Sequence, residues 1–318
     1  NDDVIINHDV TLDGDAPNVN SLVINSGKTL TGGGNTITID SRDSATGLSI
    51  DINGNVSGEL NVVIANNLNN DLGLGLDKVH DLTISNDTNA RINYLAESAS
   101  ITGNLTITQG ILDANNRDLT VGGATTIDNN GTLKCTNSTV DLTGGNVTGS
   151  GTGTLALDTC TLTAGNLYPK KITADAASVT CSDYFGVATN TDLTVSSGSA
   201  LAVTCRRLQL NSVTATSPNW SVTFVGDLAS RTIKLGSGEL HDVTLNMTDD
   251  PTDIQHLGQN TTIGGNLTIT SGVLNTNENA GDNFSLTVTG DCDVTGTLTL
   301  NDSTVAVGAL RTNSNAAL

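Results

Sequence analysis

The groups able to do chemistry in this chain are plentiful in one class and sparse in the others. Thirty-three aspartates and glutamates face thirteen lysines and arginines, four histidines and five cysteines over 318 residues. Hydrolysis of a glycosidic bond needs two facing carboxylates. Most of these acids instead stand in turn-forming contexts such as Asp13-Gly14-Asp15 or Asp249-Asp250-Pro251, where an aspartate bonds its own backbone. His80 and His241 have no second His or Cys at metal-ligand spacing, which points to a role in a turn or at a rim. The Asn/Asp turn at 113–116 offers oxygen ligands for calcium but no repeated calcium-binding nonapeptide surrounds it. No metal, cofactor or catalytic residue is expected. Asn-x-Ser/Thr triplets at Asn104, Asn137 and Asn266 follow from an Asn- and Thr-rich composition and do not by themselves imply glycosylation.

The aromatic residues are few and unevenly placed. Tyr168, Tyr184, Phe185, Trp220 and Phe224 fall in the middle of the chain, beside the basic doublets Lys170-Lys171 and Arg206-Arg207. The candidate contact surface read from this clustering is Tyr168, Lys170, Lys171, Tyr184, Arg206, Arg207 and Trp220. The competing reading has Phe185 and Phe224 filling a core, with Tyr168-Pro169 marking an irregular corner. Cys135, Cys160, Cys181 and Cys205 are separated by 25, 21 and 24 residues. That spacing predicts neighbouring places on successive turns of a repeat, as buried thiols or as bridges between adjacent turns.

Composition restricts what can position these groups. Charged residues are 14% and aromatics 2% of the chain, the apolar fraction is 36%, and Thr, Asn, Gly, Leu, Val and Ile dominate, so strands and turns are favoured and helix should be nearly absent. Four prolines against 34 glycines, without a Gly at every third position, exclude collagen. A net charge of −20 with scattered basic residues is a poor surface for phosphates, so nucleic acid is not an expected partner. No apolar run is long enough for a membrane-spanning helix. The chain begins without Met and stops within a repeating pattern, and it reads as a piece of something longer.

The repeats are explicit. VHDLTI from Val79 and ITGNLTITQGIL from Ile101 match LHDVTL from Leu240 and IGGNLTITSGVL from Ile263, at an offset of 161 that becomes 162 after one inserted residue. The duplication relates roughly 60–160 to 220–318. Inside it, a shorter motif beginning at Thr132 and Thr154 recurs after 22 residues. Alternating Leu/Val/Ile and Thr/Asn/Ser within such a period, punctuated by Gly, Asn and Asp, predicts one coil of short strands joined by tight turns. The expectation is an all-β chain: a parallel β-helix (β-solenoid), right-handed, with coils of about 22 residues, forming a single solenoid over 1–318.

The opening NDDVIINHDVTLDGDAPNVNSLVINSGKTL and the GNLTITQGIL and GNLTITSGVL segments resemble parallel β-helix modules of phage fibres and spikes and of bacterial secreted adhesins. That resemblance implies a non-enzymatic structural and adhesive rod of a virion surface or tail appendage, presenting loops for assembly or host-receptor contact. A bacterial secreted surface adhesin is the alternative, and a polysaccharide lyase or hydrolase on a β-helix the second alternative. The implied location is a virion surface or the extracellular space. The implied partners are copies of itself, other virion or surface proteins and cell-surface glycans or receptors, without membrane insertion.

Overall fold

The computed structural model describes residues 2–16, 18–41, 47–186, 191–196, 200–215, 220–226, 231–247, 253–277, 279 and 282–312; Asp249, Asp250 and Pro251 lie outside them. Its regular elements are thirty-four strands, with no helix among the described residues. Parallel strands stack into a β-solenoid of about 13 turns with about 21 residues in each. Parallel pairing requires a long return path between partner strands. Here the rest of each coil supplies it. The described chain divides into two compact units, Asn1–Gly165 and Asn166–Leu318.

In the first unit, register converts the alternation of sequence into columns. Leu82, Leu105, Thr125 and Val147 lie over one another on successive coils, and so do Ile84, Ile107 and Ile127. The residues between them, Thr83, Thr106, Thr126 and Thr148, form an outward ladder in which the last two hydroxyls are 3.5 Å apart. Alternate side chains of a strand point to opposite faces, so each inward side chain lies over an inward one of the next coil, and burial is gained by stacking. The second unit repeats the scheme. Val203, Val222, Val243, Leu267 and Cys292 form an inward column, flanked by Thr204, Thr223, Thr244 and Thr268.

The turns are held by side chains that cap the next coil. The Asp81 carboxylate accepts the backbone N–H of Asn104 at 2.6 Å, and the Asn104 side-chain oxygen accepts that of Ala124 at 2.9 Å. In the second unit Asp242 accepts from Asn266 at 2.8 Å, and Asn266 accepts from Asp291 at 2.9 Å. His80 and His241 lie beside these turns, half-buried: His80 Nδ1 is 3.0 Å from the Thr102 hydroxyl, and His241 Nδ1 is 3.1 Å from an Asp242 oxygen.

Each unit also turns a corner after a bulge, between Ile84 and Ser85 in one and between Leu245 and Asn246 in the other. The first corner is filled with asparagine. Asn66, Asn70, Asn86 and Asn93 are all buried. Asn93 Nδ2 donates to Asn86 Oδ1 at 2.7 Å, Asn70 Nδ2 to Asn93 Oδ1 at 2.8 Å, and Asn86 Nδ2 to the Asn66 carbonyl at 2.9 Å. At the second corner stand Met247 and Gln255, both buried.

All five cysteines are buried and unbridged. Cys181 and Cys205 follow directly on the register pair Thr180 and Thr204, so they occupy adjacent places on neighbouring coils. Cys135 pairs in register with Leu157 rather than with Cys160. Asn137 and Thr159 take left-handed backbone at the intervening corner, and Thr161 N–H bonds the Ser138 carbonyl, which places Cys160 just past the corner. Its thiol still reaches the Cys135 thiol and hydrogen-bonds it.

Candidate contact surface

The central residues singled out from the sequence belong to the second unit, and the structure sorts them into three places. Trp220 is in the core, 1% exposed and in register with Leu201, so it drops out of the contact surface. The indole is the bulkiest apolar side chain of its strand, and its inward place in the alternation buries it with Val222 and Phe224. Phe185 and Phe224 are likewise fully buried. Lys170 and Lys171 act on Asp192. That carboxyl is held below its usual range first by hydrogen bonds from Ser212 at 2.6 Å and Asn211 at 2.7 Å, and then by the two lysines.

Tyr168, Tyr184 and Arg207 come together, and Arg206 adjoins them through its backbone. Tyr184–Phe185 pairs with Arg207–Leu208, and because Phe185 and Leu208 point inward, Tyr184 and Arg207 face out side by side. The Arg207 guanidinium carbon lies 4.5 Å from the Tyr184 ring centroid, a cation–π contact, and the same guanidinium donates to the Tyr184 hydroxyl. Its Nε is 3.1 Å from an Asp183 oxygen. The Tyr168 ring leans on Tyr184 with centroids 5.7 Å apart and planes inclined at 58°. Burial raises the Tyr168 phenol above its ordinary pKa, helped by the neighbouring Tyr184 and Asp183.

The backbone beneath this cluster is firmly fixed. The Asp183 carbonyl accepts the N–H groups of both Arg206 and Arg207 at 3.0 Å, Tyr184 N–H bonds the Asn166 side chain at 3.1 Å, and Gln255 Nε2 holds the Arg206 carbonyl at 2.8 Å. Gly226, at φ 106°, lies so close to Arg206 that a methyl group there would meet its Nε at 2.7 Å. Arg231 joins from a further strand. Its pKa is lowered by burial first and next by Arg207, with Arg206 adding to the effect. Asp183, Arg231, Asn166 and Gln255 were not singled out from the sequence. Only Asp183, immediately before Tyr184, carried a local signal; the others are brought in from separate coils.

The cluster is therefore a pair of tilted tyrosine rings, half-exposed, edged by guanidinium donors, with Asp183 tied to Arg207. Such an arrangement offers flat apolar faces and directional donors, the means of recognition by stacking and by forked hydrogen bonding. No protein-family model, curated protein or solved structure matches the chain.

Proposed function

We propose that this chain is a non-enzymatic structural and adhesive solenoid of a virion surface or tail appendage, with the Tyr168/Tyr184/Arg207 cluster as its contact surface. The observation that carries the reading is the placement of that cluster. Half-exposed aromatic rings and arginines stand on outward positions of stacked coils, while the backbone under them is pinned by Asp183, Asn166 and Gln255. The stacked coils supply rigidity, and the charge of −20 supplies solubility and disfavours polyanionic nucleic acid. The cluster's described carboxylate, Asp183, is engaged by Arg207, so the local chemistry favours holding a ligand over cleaving one.

Gold-labelled antibodies against the chain, applied to particles and cells from its source, test the reading. Label on particles or their appendages is expected. Label confined to cell envelopes replaces it with the secreted-adhesin reading. Release of new reducing ends or unsaturated sugars from polysaccharide by the purified chain replaces it with the enzyme reading.

A further inference from the structure

We propose that Lys134 and Asp113 join in an amide bond that staples neighbouring coils of the first unit, with Asp158 relaying the protons. The inference stands apart from the adhesive reading above and concerns how the rod is held together. Asp113 closes the strand Leu105–Asp113, in register with Tyr94 on the coil before it and with Lys134 on the coil after it. Although this column is on the outward phase, the Asp113 side chain is only 6% exposed. Its Oδ2 is 3.3 Å from Lys134 Nζ, and Asp158 brings its own Oδ2 to 3.9 Å from the same nitrogen. The other oxygen of Asp113, Oδ1, accepts the backbone N–H of Asn115 at 2.9 Å. An amine nucleophile, a carboxyl carbon, a donor to the oxygen on which charge develops and a proton relay therefore meet at one corner.

The duplicated corner in the second unit separates what the fold needs from what this site adds. Asn275 and Thr299 are paired in register as Asp113 and Lys134 are, and Asn275 Oδ1 accepts the Asn277 N–H at 2.9 Å, as Asp113 accepts that of Asn115. The turn is common to both units. The amine is present in the first alone, where Thr299 stands in the second.

The bond forms without an outside reagent. Asp158 takes a proton from the Lys134 ammonium and hands it to Asp113 Oδ2, which leaves a neutral amine beside a neutral carboxyl. Nζ then attacks Cγ while the Asn115 N–H holds the charge on Oδ1. A second proton follows the same route, and Oδ2 leaves as water. One ammonium and one carboxylate become one amide and one water, and Asp158 ends as it began. Free amines and carboxylates condense poorly in water, but groups held in contact act at effective concentrations of about 10⁵ M or more.

Intact-mass and tandem mass spectrometry of the whole chain tests this. The expected mass is below that of the sequence by one water, with a tryptic species in which 92–117 is joined to 118–170, uncut at Lys134. Lys134→Arg keeps an ion pair but should restore the full mass, because a guanidinium does not give up its proton. Asp158→Asn should slow closure about a hundredfold in freshly synthesised chain. The joined peptide is read from the unmutated chain, so the test stands should a variant fail to fold. A chain at full sequence mass overturns the inference. So does a water loss that persists in Lys134→Arg, which marks cyclisation within an aspartate turn instead. Closure of Asp158→Asn at the unmutated rate overturns the relay.

Discussion

Asn86 and Asn93 in the first unit hold the places that Met247 and Gln255 hold in the second, because Ile84 and Leu245 flank the same bulge and Ile92 and Ile254 open the same following strand. Around both corners the backbone is alike. Gly110, at φ 97°, presses on the Asn86 side chain, and Gly272, at φ 86°, presses on that of Met247. The filling is opposite. The first corner is a buried amide ladder in which each asparagine answers a neighbour's donors or acceptors; the second uses a flexible thioether, and Gln255 reaches away to the Arg206 carbonyl. The backbone scheme thus accepts either chemistry, provided that a buried amide finds partners or an apolar chain fills the space. What differs is the reach of the corner. The asparagine ladder stabilises only its own stack, whereas Gln255 ties its corner to the turn that carries the candidate contact surface.

The largest effect should come from breaking the ladder. Asn93→Leu removes the donor to Asn86 Oδ1 and to the Ile111 carbonyl in a dry interior and should cost about 3 kcal/mol, read as a lower urea midpoint for the first unit and faster amide exchange at 82–113. Gln255→Leu gives up one bond to Arg206, and its own Oε1 has no partner among the described residues, so a loss of about 1 kcal/mol is expected in the second unit. Equal costs for the two substitutions would erase the distinction. The glycines sharpen it. Gly110→Ala would set a methyl group 2.4 Å from Asn86 Oδ1, inside a fixed network, while Gly272→Ala overlaps less, meeting the Met247 Cβ at 2.9 Å and the movable Sδ at 3.2 Å. Both leave a strained left-handed residue, but the first should cost about 1 kcal/mol more than the second in paired denaturation curves.

The thiols extend the contrast to reactivity. The hydrogen bond from Cys135 lowers the Cys160 thiol below its ordinary pKa, whereas burial pushes Cys181 up to about 12. The thiolate is the reacting species. Iodoacetamide at pH 8 under native conditions should therefore label Cys160 before Cys181, as mass spectrometry of time points would show. The smallest expected effect is on stability. An unfolded Cys181 ionises near the ordinary thiol value while the folded one keeps its proton, so its contribution is complete below that value and is lost as pH rises toward about 12. The urea midpoint of the second unit should fall between pH 8 and 10, and less steeply in Cys181→Ala.

The alternation of Leu, Val and Ile with Thr, the Gly/Asn/Asp turns and the period near 22 made the solenoid legible in the sequence, because strand periodicity and turn chemistry are local properties of consecutive residues. The structure shortens the coil to about 21 residues. Burial of the cysteines and of Phe185 and Phe224 was equally legible, since they sit on the inward phase of their strands. The phase of Trp220 is inward as well, but its company among aromatics and basic doublets argued for a surface, and only the register with Leu201 decided otherwise. The same holds for what surrounds the tyrosines. Arg231 and Gln255 approach Arg206 from other coils, and the offset of Cys160 from Cys135 depends on left-handed residues at Asn137 and Thr159. Sequence by itself determined the coil, its turns and the inward column, because these repeat with the chain. Tertiary structure alone decided which side chains meet across coils, because register between strands some 20 residues apart is set by stacking.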